Sequence, residues 1–357
     1  MVNPNRTIYV CTTYHHVHVA LIKCLTQKQI ADIIVCDDIP GYIDLGCSLT
    51  RAGVFRHVYF FNRKYSPGYN PEQLSRKLFG RHRKHRQLVE NELKIDFRRY
   101  DNIYIFHDGT KIGRYLIDCK ITFNLIEDGL DHFKHLSYVP SKLDVPSSSP
   151  LILWIKRTFD IGYLFCGQSK YCKSIEVNSK DGIEIQHRNI IEFSKAKLYN
   201  LVNEQQKQLI YKIFLGNNKL PETGNAKTAL IFTCPLYPEN FVKTKEMHIE
   251  IYRDLITRLQ DEGYQVFIKP HPRDEMDYAK LFNDVEIITK EIPSEILNYN
   301  PNLHFNKAVA IASASIKTVE YADEIENLEY DYLYNYADYL TDWLKASFED
   351  GEKNTNK

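Results

Sequence analysis

Apolar positions arrive in short β-branched bursts, each followed by a stretch with helical spacing. Thr7-Ile-Tyr-Val-Cys-Thr predicts a strand. Tyr14 to Gln29 then sets Val17, Ala20, Leu21, Cys24 and Leu25 three or four residues apart, which predicts a helix. The pattern returns at Ala31-Asp-Ile-Ile-Val-Cys, Val58-Tyr-Phe-Phe, Asn102-Ile-Tyr-Ile-Phe and Ile121-Thr-Phe-Asn-Leu-Ile. Strands alternating with helices imply a parallel sheet wrapped by helices.

The alternation breaks twice. Val145-Pro-Ser-Ser-Ser-Pro has neither period and predicts an exposed loop. Leu215-Gly-Asn-Asn-Lys-Leu-Pro-Glu-Thr-Gly-Asn-Ala-Lys gathers turn-forming residues just before a new strand, Thr228-Ala-Leu-Ile-Phe-Thr, and predicts a domain boundary. The alternation then restarts: a strand over Ala229 to Thr233, a helix over Lys245 to Asp261, and strands at Tyr264-Gln-Val-Phe-Ile-Lys, Val285-Glu-Ile-Ile and Lys307-Ala-Val-Ala-Ile-Ala-Ser. The expectation is α/β with two Rossmann-like domains, 1–215 and 228–345, facing a cleft. In open sheets of this kind ligands sit beyond the carboxyl ends of the strands.

Composition narrows the function classes. With 357 residues there is room for two cores, and 43% hydrophobic with 26% charged residues is globular usage. Lys+Arg and Asp+Glu balance at 46 each, so global charge gives nucleic acid no attraction. No apolar run approaches the roughly 18 residues of a membrane span. The N-terminus lacks the basic stretch and apolar core of a secretion leader. The eight cysteines are scattered without zinc-type spacing and are expected as buried, reduced thiols. The expected location is cytoplasmic. The basic run Gly80-Arg81-His82-Arg83-Lys84-His85-Arg86 leaves two readings open, a solvated helix face or a peripheral contact with an anionic membrane or glycolipid.

Four strand-end clusters carry candidate chemistry. Glu127-Asp128-Gly129 closes a strand, and because neighbours on an extended chain point to opposite sides, one carboxylate should face a ligand. Asp128, next to the turn, is the expected one. Pro270-His271-Pro272-Arg273-Asp274 holds an imidazole between prolines after a strand, suited to neutralise a phosphate or donate a proton to it. Glu291-Ile-Pro-Ser-Glu295 sets Glu295 in the first turn of a helix, where it could accept from ribose hydroxyls. Ser313-Ala314-Ser315 precedes a further helix and suggests hydroxyls and exposed amides around a phosphate.

In this order the clusters resemble the motif set of bacterial sialyltransferases. The resemblance is strongest to glycosyltransferase family 52, the lipooligosaccharide and capsule sialyltransferases, with related motifs in bacterial polysialyltransferases. It runs from the turn Thr12-Thr13-Tyr14 to about Glu324. It brings in Phe106-His107-Asp108-Gly109, Ser169-Lys170-Tyr171 and Thr233-Cys234-Pro235-Leu236 as pocket-lining candidates, with Lys269 and Pro272 beside His271. The family often has two adjacent serines or threonines where this chain has Ser313-Ala314-Ser315, so which hydroxyl meets the phosphate stays open.

The resemblance implies a GT-B type, inverting, metal-independent enzyme without cofactor. It would move sialic acid from its cytidine monophosphate (CMP) donor to a terminal sugar, galactose first, of a surface glycan or glycolipid. Asp128 would be the base, and His271 the acid on the departing phosphate. Asp37-Asp38 and Asp274-Glu-Met-Asp277 lack a convincing cation ligand set. A hexosyltransferase of the same fold and a non-catalytic nucleotide- or glycan-binding protein remain alternatives. A homodimer is an open expectation, and a nucleic-acid partner is not expected.

Overall fold

The computed structural model describes residues 6–62, 81–128, 166–183, 189–223, 226–311, 313–328 and 331–345. Gly129, the loop 142–150 and the side chains of 81–85 lie outside the described residues. The chain separates into two compact units, Met1–Ile213 and Phe214–Lys357.

The first unit runs β1 (Thr7–Cys11), α1 (Tyr14–Gln27), β2 (Ala31–Cys36), α2 (Tyr42–Ala52), β3 (Val58–Phe61), α3 (Arg81–Leu93), β4 (Asn102–Ile105), α4 (Lys111–Asp118), β5 (Phe123–Ile126), β6 (Cys172–Val177), β7 (Ile190–Glu192) and α5 (Lys195–Asn200). Helix α6 (Glu204–Leu215) carries the chain into the second unit. Among the described residues the strands form one sheet in the order β3-β2-β1-β4-β5-β6-β7, every pairing parallel. Six of its strands follow the doubly wound Rossmann order, whose switch point lies between β1 and β4.

Parallel strands are buried on both faces, which is why they read as unbroken apolar bursts rather than alternating ones. Ile8, Val10, Ile34, Ile103, Ile105, Phe123 and Leu125 face a core closed by Val89 and Leu93 of α3 and Ile112 and Leu116 of α4. On the opposite face Tyr9 and Tyr104 stack with centroids 5.1 Å apart. Lys23 of α1 lies over the Tyr104 ring at 4.9 Å and over Phe193 at 4.7 Å, and its ammonium pairs with Glu176 of β6. This ion pair is almost wholly buried, so loss of either partner would leave an uncompensated charge.

The second unit runs β8 (Thr228–Phe232), α7 (Lys245–Asp261), β9 (Gln265–Lys269), α8 (Tyr278–Leu281), β10 (Val285–Ile287), α9 (Ser294–Leu297), β11 (Phe305–Ala310) and β12 (Ala322–Asn327). Its described strands order as β10-β9-β8-β11-β12, again all parallel, with the switch point between β8 and β11. Leu230, Phe267, Ile268 and Val309 are fully buried. Both units are therefore Rossmann-like.

Three expectations change. The first helix stops at Gln27 rather than Gln29, because Lys28 takes a left-handed φ of 50° and its N–H turns back to the Cys24 carbonyl. The last burst ends as a strand at Ala310, short of Ser313. The stretch Glu324 to Tyr339, whose acidic and tyrosine-rich composition reads as a helix packed on the body or a partner, instead contains the end of the edge strand β12 and a 3₁₀ run, Asp331–Tyr339. Lys307 on the neighbouring strand offsets the charge of that edge, reaching Glu324 at 3.0 Å and Glu326 at 2.7 Å. Charged side chains on an exposed edge also discourage pairing with other chains.

No described helix is long and apolar enough to cross a membrane. Of the basic run, Arg86 turns its guanidinium to the Asp118 carbonyl.

Gly113 in the first turn of α4 shows how tightly the β4–α4 connection is packed. A Cβ there would lie 2.4 Å from the Asp108 carbonyl oxygen and 2.7 Å from its Cα. Glycine to alanine inside a helix normally stabilises. Here Gly113→Ala is expected to cost about 1–3 kcal/mol by overpacking against backbone, read as a lower urea midpoint.

Candidate functional site

Strand β1 lies between β2 and β4, and β5 lies beside β4, so the residues that follow β1, β4 and β5 collect at one edge of the first sheet. After β1, Thr13 caps α1, its hydroxyl accepting from the His16 N–H. The ring of His16 is fully buried and lies flat on Phe106 at the end of β4, centroids 4.0 Å apart and planes within 6°. Its Nδ1 accepts from the Thr12 N–H at 3.2 Å, with the Thr12 hydroxyl at the same distance. A backbone N–H can only donate, so the ring proton sits on Nε2, 2.8 Å from Asp128 Oδ1. The Asp128 side chain is 33% exposed.

Its neighbour Glu127 is buried and accepts from the Asn178 N–H at 2.7 Å, fastening β5 to the end of β6. One carboxylate of the pair faces outward and the other is structural, as extended-chain alternation requires. Asp108 is structural too. Its two oxygens accept from the N–H groups of Cys166, at 2.9 Å, and Gly167, at 2.8 Å. Both of those residues have positive φ, 55° and 73°. Burial pushes the Asp108 carboxyl up in pKa, and these two N–H groups oppose the shift. Asp108 thus holds a strained turn rather than lining a pocket. His107 Nδ1 accepts from the Gly109 N–H at 2.9 Å, and Tyr14 donates its hydroxyl to the Pro40 carbonyl. Ser169 belongs to the turn before β6, its Oγ accepting from the Tyr171 N–H.

In the second unit the turn after β9 is built on a buried carboxylate that the sequence reading weighed only as a cation ligand. Asp274 is 1% exposed. It accepts from the hydroxyls of Thr233 and Tyr278, each at 2.7 Å, and from the Met276 N–H at 3.1 Å. Thr233, just past β8, in turn accepts from the His271 N–H at 3.0 Å, which ties the ends of β8 and β9 together. Behind Asp274, His248 of α7 reaches the Tyr278 hydroxyl through Nε2 at 2.8 Å while its Nδ1 accepts from the Tyr237 N–H at 3.3 Å. Thr233 is therefore a relay in this network. Pro235 and Leu236 are buried, Leu236 within the hydrophobic core, so both leave the pocket-lining set. Pro272 is exposed.

His271 itself is held through its ring. Nδ1 accepts from the Arg273 N–H at 3.1 Å, which again leaves the proton on Nε2. Burial, followed by the positive charges of Arg273 and Lys269, lowers its pKa to about 4, while Asp274 resists the shift. The ring is consequently neutral at neutral pH. It offers an N–H rather than the positive charge expected from sequence. Lys269, 4% exposed, has its pKa lowered to about 7 by burial, with Glu291 and Glu295 countering and Lys290 assisting. A negative ligand beside it would hold it charged.

The two helix starts expected to bind anions are not full helices. Glu295 lies in α9, four residues long, and Ser313 precedes a 3₁₀ turn, Ala314–Thr318. Such short turns lack the aligned peptides of a helix dipole. Ser313 makes no side-chain cap there, and Ser313 and Ser315 are both half-buried. Among the described residues no group of three or more His, Cys, Asp or Glu is placed to hold a metal ion. Asp277, from one of the two acidic clusters, pairs with Lys280 at 2.7 Å.

His16, His248 and Tyr278 were missed from sequence. Each lies on a helix at a position where a buried residue is the ordinary expectation. Only the pairing of His16 with a strand end 112 residues away reveals a role.

Two Rossmann-like sheets, each with polar side chains at the carboxyl edge where open α/β sheets take ligands, define the class of fold. The family model for glycosyltransferase family 52 matches residues 60–326, and the chain belongs to that family. An uncharacterized protein of Haemophilus influenzae is 24% identical over 198 residues, 55% of this chain and 58% of that one. Among solved structures, the α/β-galactoside α-2,3-sialyltransferase of Photobacterium phosphoreum aligns over 90% of both chains with TM-score 0.48 and 15% identity. A UDP-glucose:anthocyanidin 3-O-glucosyltransferase aligns over 89% of this chain and 80% of its own, with TM-score 0.38 and 11% identity. Both likenesses are too distant to speak to substrate.

The lowered histidines give the second unit an acid sensitivity. Burial brings His248 to about 4, as it does His271, from an ordinary 6.5. Between those values the unfolded chain binds more protons than the folded one, so stability rises with pH across this window and is fully present above 6.5. Urea denaturation is expected to show a slope of up to about 1.4 kcal/mol per pH unit from each ring. The slope should shrink in His248→Gln.

Proposed function

We propose that the protein is an inverting sialyltransferase, moving sialic acid from CMP-sialic acid to the hydroxyl of a terminal galactose on a surface glycan or glycolipid. Family membership supports glycosyl transfer. The observation that favours a phosphate leaving group is His271, whose Nδ1 is occupied and whose Nε2–H is left to meet an anion.

In this reaction the acceptor oxygen attacks the anomeric carbon from the face opposite the phosphate and gives its proton to the Asp128 carboxylate. The bond from the anomeric carbon to the phosphate oxygen breaks, and its electron pair leaves with CMP. The transition state carries positive charge on the sugar ring, as in glycoside hydrolysis. His271 donates a hydrogen bond from Nε2 to the phosphate as negative charge develops there. Full protonation is not required, because a phosphate monoester has its second pKa near 6, roughly, and departs readily as the dianion. A neutral ring fits this role better than an acid would. Lys269 adds charge on the phosphate side, and Ser313, Ser315 and Glu295 are nucleotide contacts in the same reading. No metal or cofactor is assigned a step. The enzyme works on the cytoplasmic side of the membrane, where the nucleotide donor is made available.

With CMP-sialic acid and a panel of galactosides, the protein is expected to release CMP and give a product of inverted anomeric configuration, with full turnover in excess chelator. Asp128→Asn and His271→Ala are each expected to lower kcat/KM by about 100-fold or more. Retention of configuration, magnesium-restored activity, or thermal stabilisation by uridine diphosphate and not by CMP would overturn the proposal.

A further inference from the structure

We infer that His16 is the positioning residue of Asp128, a neutral imidazole that aims and ionises the carboxylate without exchanging a proton itself; this rests on the reading of Asp128 as the base. In a histidine–carboxylate pair either group can be the reactive end, and burial decides which. The ring is 0% exposed and the Asp128 side chain 33%, so an acceptor hydroxyl can reach the carboxylate and not the imidazole. The arrangement is the reverse of a hydrolase triad, where the carboxylate lies behind the ring.

Three contacts from three strand ends hold the ring. Thr12 after β1 donates to Nδ1, Phe106 after β4 stacks on one face, and Asp128 after β5 accepts from Nε2. With Nδ1 occupied by a backbone donor, the ring cannot take up a second proton without losing that bond, which rules out a relay through His16. What remains is a fixed donor, and a hydrogen bond to the charged form of a carboxylate favours that form. Among the described residues, titratable side chains near the pair include His15, 6.4 Å away ring to ring, and Glu127, whose carboxylate accepts from the Asn178 N–H.

The test uses CMP-sialic acid and lactose, with kcat followed against pH. His16→Phe keeps a ring against Phe106 and removes the donor. It is expected to lower kcat by about ten-fold or more while leaving the donor KM within about two-fold, and to move the acid limb up by about one pH unit. His16→Gln, which can still donate, is expected to recover most of the rate. Combined with Asp128→Asn, His16→Phe is expected to add no further loss, because both act at one proton transfer.

A fall in rate with an unmoved acid limb, or losses that add in the double variant, would overturn the inference while leaving Asp128 as the base. Full activity in Asp128→Asn alone would overturn the base assignment, and the His16 role with it. Nitrogen chemical shifts of the His16 ring in the wild-type protein give a readout independent of how any variant folds. A neutral ring protonated at Nε2 is expected, and an Nδ1-protonated or charged ring at neutral pH refutes the inference.

Discussion

Parallel strand pairing is the constraint from which the rest of this molecule follows. Each inner strand of these parallel sheets is covered on both faces, so almost every residue inside it is committed to the core and chemistry is displaced to the ends. All strands in a sheet also point the same way, so those ends gather at one edge. Because β1, β4 and β5 lie side by side in the first sheet and β8 and β9 in the second, Thr12, Phe106 and Asp128 meet at one edge, and Thr233 and His271 at another. Thr12 and Phe106 are 94 positions apart in the chain, Phe106 and Asp128 22, and Thr233 and His271 38, and strand pairing makes them neighbours.

Most carboxylates at those edges serve the backbone. Asp108, Glu127 and Asp274 each accept from main-chain N–H groups that would otherwise be buried without partners. An unsatisfied buried donor costs about 1–3 kcal/mol, which is enough to keep a polar residue at each of these positions. Asp32, at the opposite end of the first sheet, is held by side chains instead, binding Arg56 through both oxygens and also Tyr100 and His57. Burial would raise its pKa, and these partners outweigh that effect and hold it below the ordinary range. Asp128 differs in being partly exposed, with the buried His16 ring behind it.

A second regularity concerns histidine. In His16, His107, His248 and His271 the Nδ1 atom accepts from a backbone N–H, which places the proton of the neutral ring on Nε2. Fixing the tautomer through the main chain turns an adaptable group into a donor of set direction. For His271, where burial also disfavours the charged form, the resulting site stabilises an anion by a dipole and leaves net charge to Lys269 and Arg273. The geometry thus replaces the cationic acid suggested by an isolated imidazole with a neutral donor.

The periodicity of apolar residues by itself determined the two α/β halves, and helix α7 and strands β1, β2 and β3 were legible nearly to the residue; in β1 and β2 burial on both faces writes a continuous apolar run, and β3 carries one although it is only partly covered. Strands β6 and β12 were not legible. Cys172-Lys-Ser-Ile-Glu-Val and Ala322-Asp-Glu-Ile-Glu-Asn carry polar residues whose charge is met by Lys23 in one case and by Lys307 and Arg258 in the other. Local sequence also offered Asp128 and His271 as candidates, since carboxylate and imidazole types at strand ends can be read without knowing their neighbours. It could not separate Asp128 from Asp108, assign a proton to either histidine, or find His16. Those distinctions rest on burial and on hydrogen bonds between residues far apart in the chain, and such contacts exist only once the sheet has set the strand ends side by side.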